Sequence, residues 1–195
     1  MSLLWYQNLL EKDCVFILVD IQNVFNEENW KSMLWAVRND WPSVVQFTFN
    51  CYRHWATLVV RDLEGSDNFL YSTEGVTQGD PLAMIDYGVG LLLLIREFRY
   101  VYPCVTHPWY AYKAGAGGSF CDILAHLQDL QGRGSPRGYL PERTKSILVV
   151  APWNVVRGET LLRDMGMKVV TVSRYLGGFI IDQVAKEKWM KEKVE

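Results

Sequence analysis

The residues whose chemistry stands out are an acid at the end of an apolar run, a basic aromatic turn and a scatter of arginines. Asp20 closes the continuous run Val15-Phe16-Ile17-Leu18-Val19, the pattern of a strand buried on both faces. A lone acid in that place is either an exposed turn residue or a site residue. The stretch from His107 to Gly118 runs aromatics into a tight turn at Tyr112-Lys113 and returns through glycines, the outline of a hairpin. Its Gly115-Ala116-Gly117-Gly118 follows a strand and precedes a helix, as a phosphate cradle does, but lacks the P-loop lysine and glycine spacing, so a return strand is expected. Arg133, Arg137, Arg143 and Lys145, with Arg53, Arg61, Arg157 and Arg174 elsewhere, could meet phosphates, and the aromatics could stack on bases. His54, His107 and His126 show no metal-ligand spacing, and no nucleophile elbow or dinucleotide fingerprint is present.

The elements that must position these residues alternate along the chain. Leu3 to Leu10 reads as a short amphipathic helix. Asn26 is expected to cap a helix carrying Trp30, Leu34, Val37 and Trp41 until Pro42 stops it. Ser43 starts another, with Val44, Phe47, Cys51 and Trp55 on one side. Thr57–Val60 and Phe69–Tyr71 form a hairpin about the polar turn Asp62–Asp67. Asp80-Pro81 opens a core helix to about Phe98. Ser119 and Asp122 make a capping-box-like start for a helix turning Ile123, Leu124, Leu127 and Leu130 inward, ended by Gly132 and Gly134. Ile147–Val150 is a buried strand, Val155–Met165 a helix closed by Gly166, and Lys168–Val172 a strand. Tyr175–Ile180 is a strand or hairpin, and Asp182–Glu195 a charged terminal helix.

Composition bounds the partners. With 195 residues, 49% of them apolar and 22% charged, the chain can bury one good core. Its net charge of −2 weighs against a simple nucleic-acid clamp, which needs a basic face. Cys14, Cys51, Cys104 and Cys121 form no Cys-x-x-Cys pair, so reduced thiols in a reducing, intracellular compartment are expected, with no targeting segment evident. The most apolar window, Pro81–Ile95, is too short to span a bilayer and carries Asp86.

Four segments together resemble, in order and approximate spacing, the reverse transcriptase (RNA-directed DNA polymerase) palm of non-LTR retroelements. Val19-Asp20-Ile21-Gln22-Asn23-Val24-Phe25-Asn26 resembles the strand-end motif whose aspartate binds both metal ions, with Phe25 at the aromatic position that screens the incoming sugar. Thr73-Glu74-Gly75-Val76-Thr77-Gln78-Gly79-Asp80-Pro81-Leu82 is similar to the Gln-Gly-x-Pro loop, in which Gln78 and Gly79 lie against nucleotide and template. The hairpin at Tyr110 stands where the family carries Tyr-x-Asp-Asp. Pro141-Glu142-Arg143-Thr144-Lys145-Ser146 resembles the segment whose lysine, here Lys145, lies near the triphosphate. Tyr175-Leu176-Gly177-Gly178 resembles the Leu-Gly strand pair next to the primer end.

The resemblance implies an α+β, polymerase-palm-like antiparallel sheet with helices packed mainly on one face. It implies an N-terminal extension over 1–14, the palm over 15–181 and the start of a lost thumb over 182–195, with no fingers region ahead. It also implies a magnesium site that this chain has changed, because Tyr112 and Lys113 replace two of three metal-binding aspartates. Clustered carboxylates collect divalent ions and an ammonium opposes them. The expectation is a retrotransposon-derived pseudoenzyme with vestigial positions at Asp20, Tyr112, Lys113 and Lys145, no metal cofactor, and a role as structural subunit of a protein complex. The alternatives are a residual RNA- or DNA-binding module and a polymerase fragment. The eight tryptophans are either core or remnants of surfaces once covered.

Overall fold

A computed structural model of the chain describes residues 13–22, 26–76, 80–110, 113–175 and 178–180, with isolated positions 187 and 191. The expected helices over Leu3–Leu10 and Asp182–Glu195 lie outside this set apart from those two positions, as do Trp5 and Trp189. In chain order the elements are β1 (Cys14–Ile21), α1 (Trp30–Asp40), α2 (Val45–Tyr52), β2 (Ala56–Arg61), β3 (Asp67–Ser72), α3 (Ala83–Val101), β4 (Trp109–Tyr110) and β5 (Lys113–Ser119). Then follow α4 (Phe120–Gly134), β6 (Pro141–Val150), α5 (Val155–Leu162), β7 (Lys168–Val170), β8 (Ser173–Tyr175) and β9 (Gly178–Ile180). They gather into two compact units, one of Met1–Ile21, Phe98–Leu130 and Pro141–Glu195, the other of Gln22–Glu97 and Gln131–Leu140.

The first unit is built on a five-stranded sheet in the order β4-β5-β1-β6-β7. The apolar run puts β1 at its centre, antiparallel to β5 on one side and β6 on the other. Beyond β6 the sheet departs from the expected antiparallel pattern, because α5 carries the chain across and β7 returns parallel. Side-chain alternation then sorts the two faces. Phe16 and Val149 pack with Ile180 on one face, backed by Leu18, Ile147, Val170 and Tyr175. On the other face α5 comes close enough that a Cβ on Gly158 would sit 3.1 Å from Val169 and 3.5 Å from Leu148. The capping box opening α4 is present: Ser119 Oγ accepts from the Asp122 N–H at 3.2 Å and donates to Asp122 Oδ2 at 2.7 Å. Ile123, Leu127 and Leu130 turn inward as expected.

His126, also on α4, is buried, with its ring edge-on to Phe98 at 4.8 Å and stacked on His107 at 5.1 Å. Burial, reinforced by the neighbouring His107, pushes its pKa down to about 3. The imidazole is thus neutral in the fold and protonates near 6.5 when unfolded. Its contribution is complete above about pH 6.5 and is lost as pH falls towards 3. In sequence these two histidines were unrelated, since the 18 residues between them match no local ligand spacing.

The second unit corrects two expectations. Helix α1 is capped by Asn29, whose Oδ1 accepts from the Ser32 N–H at 3.0 Å, three residues past the expected Asn26. Helix α2 starts at Val45, after a short 3-10 turn at Pro42–Val44. It buries Thr48 and Tyr52, whereas Phe47, Cys51 and, just beyond, Trp55 are exposed. Hydrogen bonding chooses that side: Thr48 Oγ1 donates to Asp86 Oδ1 at 3.3 Å, and the Tyr52 hydroxyl donates to Asp80 Oδ2 at 3.1 Å. Asp80 also accepts from the Leu82 N–H at 2.8 Å and so caps α3 as expected. The β2–β3 hairpin forms in the expected place, closed by an Arg61–Asp67 ion pair of 2.7 Å, but every strand position except Ser72 is exposed.

Glu28 is the unusual residue of this unit. Its backbone carbonyl accepts from the Gly75 N–H at 2.8 Å, which directs the side chain inward against Gly90 of α3, where only a glycine leaves room. The carboxyl is buried, and neither of its oxygens has a hydrogen-bond partner among the described residues. Burial first, then the charge of Asp86, raises its pKa well above the usual range. A raised carboxyl pKa stabilises the fold fully below the unfolded value, about 4.3, and that contribution is lost as pH climbs through the folded value. Glu28→Gln is therefore expected to raise the unfolding temperature at pH 8 but not at pH 4, by about 2–4 °C per kcal/mol relieved; thermal melts at the two pH values check it. Gly138, at φ 78°, adopts a left-handed conformation, and a Cβ there would run into the Glu27 carbonyl. Gly138→Ala is expected to cost about 2 kcal/mol or more in a urea titration.

Candidate functional site at the end of the central strand

Strand pairing brings Asp20 to Lys113. The β1–β5 register runs to Val19 opposite Ala114, and the next residue on each strand, Asp20 and Lys113, lines the same pocket. On the other flank the register jumps: Leu18 faces Ile147 but Asp20 faces Glu142, so β6 carries extra residues between those positions. Such a bulge leaves ladder groups in need of partners. Buried Ser146 supplies them, accepting from the Asp20 N–H at 3.1 Å and donating to the Glu142 carbonyl at 2.7 Å. Thr144 Oγ1 donates to Glu142 Oε1 at 2.7 Å. The bulge contains Lys145, whose side chain thereby joins Asp20 and Lys113.

The third wall comes from β8. Tyr175 packs edge-on against Phe16 at 6.0 Å, and its hydroxyl donates to the Pro108 carbonyl at 2.9 Å, with the Lys113 carbonyl 3.4 Å away. Burial pushes its pKa up to about 12, so the phenol keeps the proton it donates. This tie holds the β8–β9 hairpin over the sheet and brings Arg174 to the same opening. The result is an open pocket of about 260 Å³ above Leu18 and Ile147, rimmed by Asp20, Lys113, Lys145 and Arg174.

The structure thus gathers three of the sequence candidates, Asp20, Lys113 and Lys145. Tyr112, Phe25, Gln78 and Gly79 lie outside the described residues. Arg174 was visible only as one of several scattered arginines, and Ser146 gave no signal beyond a small hydroxyl before an apolar run. Other arginines are engaged elsewhere: Arg137 pairs with Glu97 at 3.0 Å, Arg61 with Asp67, and Arg157 with Asp13 while lying over the Phe120 ring at 4.4 Å. A magnesium ion asks for clustered oxygen donors, and the rim offers one carboxylate among three cationic side chains. Among the described residues no group of three or more His, Cys, Asp or Glu side chains is placed to hold a metal ion. The donor set does not fit the ion that the resemblance implies.

No family model matches the sequence, and no curated protein matches it. Solved structures do. Apo telomerase from Candida tropicalis aligns with a TM-score of 0.62 at 14% identity, over 78% of this chain and 32% of that one. A form of the same telomerase truncated from its C-terminal domain gives 0.60 at 16%, over 77% and 34%. Telomerase from Candida albicans, in complex with a fragment of telomeric RNA, gives 0.60 at 10%, over 76% and 29%. The chain therefore spans about a third of the length of these telomerases. At such identities the likeness speaks for the fold alone, a mixed α/β, palm-like fold shared with these telomerases.

Proposed function

We propose that the chain is a retroelement-derived palm of non-LTR type from which polymerase chemistry has been lost, and that it serves as a structural subunit of a larger protein complex. One observation carries the loss of chemistry: Lys113 lines the same pocket as Asp20, together with Lys145 and Arg174. In-line nucleotide addition needs two divalent ions held by carboxylates, and a lone carboxylate among cations repels them.

The assembly role is supported by the second unit. Leu58, Val60 and Leu70 occupy one face of the β2–β3 hairpin and Val59, Phe69 and Tyr71 the other, all about half exposed or more, with Leu63 fully exposed at its turn. Trp35 and Trp55 of the same unit are exposed as well, as is Trp153 of the first unit. An apolar two-stranded sheet open on both faces gains most of its stability by being covered. The second reading, a residual nucleic-acid-binding module, is favoured by the Lys113, Lys145 and Arg174 rim and by the RNA held by the Candida albicans telomerase.

Primer extension with Mg²⁺ or Mn²⁺ is expected to give no incorporation. Incorporation abolished by Asp20→Asn would overturn the loss of catalysis. Size-exclusion of the purified chain is expected to show association through apolar surface, and a well-behaved monomer would count against the subunit role.

A further inference from the structure

We propose that the pocket at the end of β1 is a metal-independent binding site for a phosphate-bearing anion. Lysine and arginine side chains are cationic at neutral pH, so the rim carries three positive charges against the single negative charge of Asp20. These cations come from three separate strands, Lys113 from β5, Lys145 from the bulge of β6 and Arg174 from β8. Their backbones are held by the sheet, by Ser146 and by the Tyr175 hydroxyl, so the charges converge without a mobile tail having to be ordered. A guanidinium presents a planar fork to two phosphate oxygens, while ammonium groups act as point charges on the others. A volume of 260 Å³ is roughly that of nine waters, room for an anion of two linked phosphates. This differs from metal-bridged phosphate binding, because here the protein's own cations occupy the place of the ion.

Asp20 gives the idea its sign. In a metal site this carboxylate holds the ligand through a cation; in a cationic pocket it repels the ligand directly. The two cases respond oppositely to its removal.

The test is titration of the whole chain with inorganic pyrophosphate at low salt in the presence of a chelator, read by calorimetry. Binding is expected without divalent metal. Lys113→Ala and Lys145→Ala should each weaken it about two- to fivefold, and Asp20→Asn should strengthen it by a similar factor. Rising salt should weaken it. Both lysines are exposed, and unchanged thermal melts would confirm that the variants fold. No binding under chelation, a requirement for Mg²⁺, or weaker binding in Asp20→Asn overturns the proposal. A single-stranded RNA oligonucleotide that displaces pyrophosphate assigns the phosphate to a polynucleotide backbone; pyrophosphate binding that RNA leaves untouched assigns it to a free anion. Either supports the pocket. It is independent of the assembly role, since primer extension and size-exclusion are silent on metal-free pyrophosphate binding.

Discussion

Strand β1 is paired along both edges, and its side chains are buried on both faces over Val15 to Ile17. A one-residue slip would exchange the faces on which Phe16 and Ile17 pack, so burial specifies the register strongly. From that constraint follows the placement of everything at the site. The β5 register brings Lys113 to the same end of the sheet as Asp20, and the break in the β6 register sends Lys145 into the bulge that Ser146 closes. Tyr175, seated on the same core through Phe16, adds Arg174 to the rim.

This arrangement separates what holds the fold from the charge that its pocket presents. The β4–β5 hairpin is held by backbone pairing, Trp109 with Ala114 and Tyr110 with Lys113, which is indifferent to the side chain carried at the turn. Close approach is needed instead at Gly115, where a Cβ would meet the Phe16 ring at 2.8 Å and Pro108 at 3.1 Å. The fold therefore depends closely on the glycine-rich return. The charge at Lys113 bears instead on what the pocket attracts.

Each unit also buries a titratable group without the partners its charged form would need. His126 is kept neutral in the first and loses its stabilising contribution in acid; Glu28 has its pKa raised by burial in the second and loses its contribution towards alkali. Both are costs of enclosing a polar side chain in apolar surroundings, and they leave the fold most secure between those two limits.

Much of the fold was legible in the sequence, because it rests on local physics. The apolar run of β1, the cap at Ser119 and Asp122, the glycine closing the helix before β7, and the order of motifs around Asp20 and Lys113 each depend on a few consecutive residues. The sequence grouped Val44, Phe47, Cys51 and Trp55 on one side of α2, but an apolar stripe does not say which side a neighbour will cover; Thr48 and Tyr52 took the buried place through hydrogen bonds to Asp86 and Asp80, far along the chain. The His107–His126 stack and the burial of Glu28 were hidden for the same reason. By itself the sequence determined which strand would be central and which charge would stand at the turn. Only the tertiary structure decided that Lys113, Lys145 and Arg174 converge on Asp20, because that meeting depends on strand register, a bulge and one tyrosine hydrogen bond between segments distant in the chain.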